Sequence, residues 1–247
     1  MDAGITLPFY IAAGALVLGA ALAARALERE PVRGGGGSWW AHARERHALT
    51  LLRQAPLRML FGVHFAYACG VAAFYEFFPL WLVDVGRYGT RDIAFVNMGM
   101  CALMTCAALF AGRASRHEPR RRAAAQAALA ALAILAVGFG SLGIGLVAIV
   151  LFGLPHAYYN ATIRGWAADQ FAAYGQGAVM GLLSTTFCLA NIVMALAGGA
   201  LSVIDTRIVL VVGGLLAITA ALALRRWSGQ AVTAPANAAS AAAEERR

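Results

Sequence analysis

The sequence predicts an all-α membrane protein with about seven transmembrane helices. Of its 247 residues, 61% are hydrophobic and only 13% are charged, about half the charged share of an average soluble domain. The charged residues are clustered, so that long and almost uncharged runs remain between them. A run of about 20 apolar residues forms a helix that crosses the hydrocarbon layer of a bilayer.

Seven such runs follow one another, at residues 5–26, 58–83, 93–111, 123–140, 142–163, 178–203 and 208–224. Four segments are therefore expected: a first transmembrane helix (1–27), a basic cytoplasmic linker (28–57), a six-helix unit (58–227) and a disordered cytoplasmic tail (228–247). Within the linker, Gly34 to Gly37 predicts flexibility. Residues 39–54 are either a short helix on the membrane surface or a solvated loop.

The basic residues predict the orientation of the chain in the membrane. The net charge is +8, and arginine supplies all of the positive charge because the chain has no lysine. Arginine-rich and arginine-poor connections alternate along the chain, and arginine-rich loops stay in the cytoplasm. We expect a multi-pass protein of the inner (plasma) membrane, with its N-terminus outside and its C-terminus in the cytoplasm. The arginines are not interleaved with aromatic residues, so nucleic-acid binding is not expected.

Polar side chains inside the second and fifth runs are candidates for a proton path or a substrate cavity, because polar groups are costly in hydrocarbon. The helical repeat places His64, Tyr67 and Tyr75 on one face of the second run. The candidates on one face of the fifth run are His156, Tyr159 and Asn160. The first, fourth and seventh runs are nearly free of polar residues, and we expect them to face mostly lipid.

Glu76 is the acidic residue inside a predicted span. At about 100° per residue it lies roughly 120° around the helix from His64. An ionisable residue in a span is a functional hypothesis by default. Two alternatives stay open: Glu76 titrates as a proton-coupling group, or it remains ionised near the outer end of its helix, paired with Arg87 or Arg91.

A stripe of small and polar residues lies along one face of the sixth run. Small residues at four-residue spacing allow the backbones of two helices to approach closely. The residues for which this pattern predicts helix packing are Gly177, Gly181, Ser184, Gly198 and Gly199. Asn191 lies on the same stripe and is a further cavity candidate.

No enzymatic activity, cofactor or metal site is expected. A retinal protein needs a lysine for its Schiff base, and the chain has none. The segment Gly140-Ser141-Leu142-Gly143 does not supply the motif of an intramembrane serine protease. The four cysteines lie inside apolar runs without a Cys-x-x-Cys pair, which indicates small buried residues.

Three stretches together carry a family resemblance. They are Tyr75-Glu76-Phe77-Phe78-Pro79-Leu80-Trp81-Leu82, then Gly112-Arg113-Ala114-Ser115-Arg116 with Arg120-Arg121-Arg122, and then Gly175-Gln176-Gly177 through Gly198-Gly199. In this order and spacing they resemble the C-terminal half of a major facilitator superfamily (MFS) transporter of the drug:proton antiporter type. Arg116 and Pro119 stand where the family's arginine-rich loop has Asp and Gly, so its charge-relay role is not carried over.

The resemblance covers about residues 4–227 and implies that the seven runs are the family's helices six to twelve. It implies transport of a small molecule, with proton-coupled efflux as the mode. The implied partners are the lipid bilayer, a small-molecule substrate and a separate N-terminal transporter half, because the family's substrate site lies between two halves. The alternative is a non-transporting membrane protein, either truncated or an assembly partner.

Overall fold

A computed structural model describes residues 3–26, 48–111 and 118–227, and within these ranges the regular structure is entirely helical. The chain divides into two units, residues 1–42 and 43–247. The described part of the first unit is one helix, α1 (Ala3–Ala26). The basic loop at 112–117, the glycine-rich linker and the tail at 228–247 lie outside the described residues.

The second unit contains six long helices. They are α2 (Ala55–Gly86), α3 (Thr90–Ala111), α4 (Pro119–Phe139), α5 (Leu142–Gln170), α6 (Gln176–Ser202) and α7 (Thr206–Arg226). Short 3-10 helices cover Ala48–Arg53 and Ala172–Tyr174. All six long helices are long and apolar enough to cross a membrane. The prediction of an all-helical membrane protein is thereby confirmed, and a crossing by α1 remains a prediction.

Several helices extend beyond the apolar runs that predicted them. The helix α5 continues from residue 163 to Gln170. A helix has to be apolar only where it crosses the hydrocarbon layer, so its last two turns can be polar. The helix α2 begins with Pro56 in its first turn and ends before Arg87, which has a left-handed backbone with φ of 55°. In the proposed surface segment, residues 48–53 form a 3-10 helix, and residues 39–47 lie outside the described ranges.

The helix α2 is the centre of the six-helix unit. In its most apolar 18-residue stretch 67% of the residues are buried, against 11% in α3. It packs against α6 and α7, while α4 packs against both α5 and α7, and α3 packs against α5. The apolar helices α4 and α7 leave Leu129, Leu132 and Leu215 exposed, which suits contact with lipid.

The two ends of the six-helix unit differ in charge. At the end where α2, α4 and α6 begin, the described charged residues are Arg53, Arg58, Arg120, Arg121, Arg122, Arg164, Arg225 and Arg226, with Glu118 and Asp169. At the opposite end they are Arg87, Arg91 and Arg207, with Asp84, Asp92 and Asp205. Positive charge is therefore concentrated at one end, which we call the basic end, and the other end is balanced.

Candidate functional site

A buried polar cluster lies between α2 and α5. It combines the two helix faces that the sequence predicted separately, and its members are His64, Tyr67, Tyr75, His156, Tyr159 and Asn160. His64, Tyr67, His156 and Tyr159 are buried, and Tyr75 and Asn160 are partly buried. We call this set the histidine–tyrosine cluster. The structure thus brings six of the eight candidate cavity residues together.

His156 has a hydrogen-bond partner at each ring nitrogen. Its Nε2 lies 3.0 Å from the amide nitrogen of Asn160, and its Nδ1 lies 3.1 Å from the hydroxyl of Tyr67. With the Asn160 amide in this orientation its nitrogen donates, so Nε2 is the acceptor and the neutral ring carries its proton on Nδ1. That proton is donated to the Tyr67 oxygen. The ring is therefore held in one tautomer by partners from both helices.

A second histidine–tyrosine pair lies beside the first. His64 of α2 has its Nδ1 3.4 Å from the hydroxyl of Tyr159 in α5, and the two rings are nearly parallel at 6.2 Å. Each histidine is thus paired with a tyrosine of the other helix. The two pairs touch because the rings of Tyr67 and Tyr159 lie 3.7 Å apart. Chemically, the cluster offers two imidazoles that can each accept or release a proton next to a phenol.

Two phenylalanines outside the predicted faces, Phe74 and Phe152, border this cluster. Phe152 stacks on His156 at 5.3 Å and lies 4.0 Å from the ring of Phe74. Tyr75 meets His156 edge-on at 5.8 Å and donates its hydroxyl to the sulfur of Met104 in α3 at 3.5 Å. Phe152 precedes His156 by one helical turn, so extending the predicted face by four residues would have found it.

Two prolines interrupt the backbone hydrogen bonding beside the cluster. Pro79 lies inside α2 and Pro155 lies inside α5. Because proline has no N–H, the carbonyls of Tyr75 and Leu151 lose their helical partners. Both helices that form the cluster therefore contain a weakened turn close to it.

Glu76 lies outside the histidine–tyrosine cluster. Its side chain is exposed on a face of α2 that also carries Gly62 and Leu80, as the angular offset from His64 predicts. Within the described residues its carboxylate has neither a hydrogen bond nor an ion pair. The pairing with Arg87 or Arg91 is thus not formed, and Arg91 instead lies over the ring of Phe95 at 5.6 Å.

The stripe on α6 is mostly uncovered. A methyl group added at Gly198 would lie 2.6 Å from the Phe77 ring of α2, so this glycine allows a close helix contact. At Gly177, Gly181 and Gly199 the same methyl group would meet no atom within 4 Å. Ser184 is exposed. Within the described part of the chain, Gly198 thus lies at a close helix contact, whereas packing at Gly177, Gly181 and Gly199 remains a prediction.

Asn191 does not join the cluster either. Its amide donates to the backbone carbonyl of Phe187, one turn earlier in α6, at 2.9 Å. Other polar side chains on uncovered helix faces are Asn97 and Thr105 of α3 and Ser184 and Thr185 of α6. Thr105 likewise bonds within its own helix, to the carbonyl of Cys101 at 2.9 Å. Asn191 and Thr105 therefore satisfy part of their hydrogen-bonding capacity within their own helices.

Within the described ranges, no three His, Cys, Asp or Glu side chains come close enough together to hold a metal ion. All four cysteines, which lie within these ranges, are free thiols.

Comparison with known proteins identifies the family of the chain. No curated protein and no solved structure matches the chain significantly. Residues 2–193, most of the chain, match the sequence model of the Major Facilitator Superfamily. The match includes the histidine–tyrosine cluster and Glu76. With six membrane-length helices in the described ranges and this match, the chain belongs to the Major Facilitator Superfamily of secondary transporters.

Proposed function

We propose that this chain is the C-terminal half of a proton-coupled exporter. It lines one side of the small-molecule transport path, and Glu76 is the coupling residue. The observation that carries the proposal is the position of Glu76, an accessible carboxylate without an ion pair among the described residues, inside a membrane-length helix. A charged side chain at such a place is costly in lipid. It is tolerated where the helix face borders a water-filled cavity.

Polar side chains on α2, α3 and α6 also indicate that these helices line one side of the transport path. Asn97, Thr105, Ser184 and Thr185 are exposed on membrane-length helices, as Glu76 is. Polar side chains that face lipid tails carry a free-energy cost, which favours a polar environment for these faces. A facing N-terminal half, encoded with this chain or separately, would cover these faces and close the cavity between the two halves.

The histidine–tyrosine cluster has a separate role in this proposal. It lies between α2 and α5, and its hydrogen bonds join these two helices. A movement of α5 relative to α2 would break the hydrogen bond between Tyr67 and His156. The hydrogen bonding of the cluster therefore depends on the relative position of the two helices. His64 and His156 are also the next candidates for the proton path.

The proposed orientation places the basic end in the cytoplasm and the C-terminus with it. The concentration of arginine at that end supports this orientation, because cytoplasmic ends of membrane proteins carry the excess of positive charge. An exporter so oriented would take its substrate from the cytoplasm and release it across an inner (plasma) membrane in exchange for protons.

The experiment uses this chain joined to, or co-reconstituted with, an N-terminal half in liposomes that have an imposed pH gradient. Glu76→Gln keeps the shape of the side chain and removes its titration. We expect it to reduce proton-driven dye transport at least tenfold and to abolish its dependence on pH. The matched control is Asp169→Asn, which makes the same change of charge at the exposed end of α5, and it should transport normally.

Two results would contradict the proposal in different ways. Normal transport with normal pH dependence in Glu76→Gln would exclude Glu76 as the coupling residue and make His64→Gln and His156→Gln the next variants. Absence of transport in the unmodified assembly, with the protein folded, would favour the non-transporting assembly partner.

A further inference from the structure

A groove runs between α4 and α7 at the basic end of the six-helix unit. Its volume is about 540 Å³. Two arginines line it, Arg121 from the first turn of α4 and Arg225 from the last turn of α7. The rest of its lining is apolar and mostly small, and it includes Ala124, Ala128 and Ala221.

The alanines determine the form of this groove. An alanine side chain fills little space, so a row of alanines on two neighbouring helices leaves a trough along their seam. The seam belongs to the two helices that have few polar residues and whose outer leucines are exposed. The trough is therefore apolar along the membrane and cationic at its mouth, which is the distribution of polarity that an amphiphile requires.

Two tryptophans at the same end of the unit as the mouth of the groove indicate the level of the lipid headgroups. Trp166 near the end of α5 and Trp227 just after α7 meet edge-on at 5.3 Å at the same end of the unit. Tryptophan is enriched at membrane–water interfaces. Basic pockets between membrane helices on the cytoplasmic side are suited to anionic headgroups.

The charges at the mouth are only partly neutralised within the protein. Arg121 forms an exposed ion pair with Glu118, at 2.9 and 3.0 Å to its two carboxylate oxygens. Arg225 has no ion pair among the described residues. An exposed pair of this kind contributes little to stability, so Arg121 can exchange Glu118 for another anion at small cost.

We propose that this groove binds an anionic phospholipid, with the headgroup phosphate between Arg121 and Arg225 and an acyl chain along the alanine trough. Arginine is suited to this role because its guanidinium presents paired donors to a phosphate group. The proposal concerns the lipid-facing seam of α4 and α7 and does not depend on Glu76 or on transport.

The test measures retention of lipid by the full chain in detergent, by native mass spectrometry, with phosphatidylglycerol, phosphatidylcholine or inorganic phosphate added. We expect phosphatidylglycerol to be retained more strongly than phosphatidylcholine. Arg121→Gln and Arg225→Gln should each weaken retention about fivefold, since one arginine near a membrane surface contributes on the order of 1 kcal/mol.

Two further variants make the test specific. Arg226→Gln removes the same charge one residue away, at an exposed side chain outside the groove lining, and should leave retention within twofold of the unmodified protein. Glu118→Gln frees Arg121 and removes a negative charge, so retention of phosphatidylglycerol should increase.

Three outcomes would overturn the proposal. Equal retention of phosphatidylcholine would mean that the arginines do not select the lipid. An equal loss in Arg226→Gln would mean that the basic end attracts anions without a defined site. Full displacement of phosphatidylglycerol by millimolar inorganic phosphate would mean that the groove is a site for a free anion and that the acyl chain contributes nothing.

Discussion

At the scale of single residues, the histidine–tyrosine cluster joins α2 and α5 through two pairs, each of a histidine and a tyrosine. His156 is buried and both of its ring nitrogens have partners. A buried polar group that loses its partner keeps the cost of its desolvation. The hydroxyl of Tyr67 therefore stabilises the packing of α2 against α5 beyond the contribution of its aromatic ring.

We therefore expect Tyr67→Phe to lower the free energy of unfolding by about 1 kcal/mol, since hydrogen bonds between membrane helices contribute on that order. The measurement is the unfolding midpoint in detergent. The control is Tyr75→Phe, whose lost partner is only the Met104 sulfur at 3.5 Å, and it should change the midpoint much less. Equal effects of the two substitutions would contradict the special role of the Tyr67–His156 bond.

The sequence predicted which residues share a face, but not which faces meet. The spacing of His64, Tyr67 and Tyr75 follows from the helical repeat, which is a local property. The contact of His64 with Tyr159 depends on the packing of two helices far apart in sequence. Only the structure supplies that contact, and the isolation of Glu76 from any described charge follows in the same way.

At the scale of helices, glycines mark the closest contacts. A methyl group added at Gly70 of α2 would lie 2.5 Å from the carbonyl oxygen of Gly213 in α7. At Gly153 of α5 it would lie 2.8 Å from the carbonyl oxygen of Met100 in α3. Helices in membranes gain stability from such close backbone approach, so each of these contacts depends on the missing side chain.

We therefore expect Gly70→Ala to lower the free energy of unfolding by about 1–3 kcal/mol, the range for overpacking a close contact. Gly62→Ala is the matched control on the same helix, because a methyl group there meets no atom within 4 Å. It should be neutral or stabilising by up to about 1 kcal/mol, since alanine favours the helix more than glycine does. Thermal unfolding in detergent compares the two, and a destabilised Gly62→Ala with an intact Gly70→Ala would refute the assignment of these contacts.

Helix positions were predictable because hydrocarbon requires long apolar runs. The glycine contacts were not predictable, because a glycine at a crossing and a glycine on an open face look the same in an apolar run. A methyl group added at Gly181, which lies at regular spacing in its stripe, would meet no atom within 4 Å, while one added at Gly70 would lie 2.5 Å from the Gly213 carbonyl oxygen.

At the scale of the whole molecule, the concentration of arginine at one end of the six-helix unit predicts how the protein is oriented in the membrane. In a variant without native cysteines, Thr90→Cys marks the balanced end of the six-helix unit and Gln176→Cys marks the basic end; both residues are exposed. A membrane-impermeant thiol reagent added to intact cells should label Thr90→Cys alone, and lysis should allow labelling of Gln176→Cys. Labelling of both positions from the same side would contradict the proposed topology.

A second prediction at this scale concerns activity without a facing half. The polar faces of α2, α3 and α6 form only one side of the proposed path, which cannot be closed alternately from two directions. Liposomes that contain this chain alone should therefore show no dye uptake driven by a pH gradient, in parallel with active liposomes that also contain an N-terminal half. Robust uptake by the chain alone would mean that copies of it complete the path for one another.

The seam between α2 and α7 also determines when the protein can finish assembling. Gly70 and Gly213 are separated by about 140 residues, which a ribosome needs on the order of 7 to 30 s to synthesise. During that interval α2 has been synthesised, but α7, the helix that covers its small-residue face, has not. The packing of α2 is thus completed only after α7 has been made. A chain released before α7 would leave the small-residue face of α2 exposed to other proteins in the bilayer.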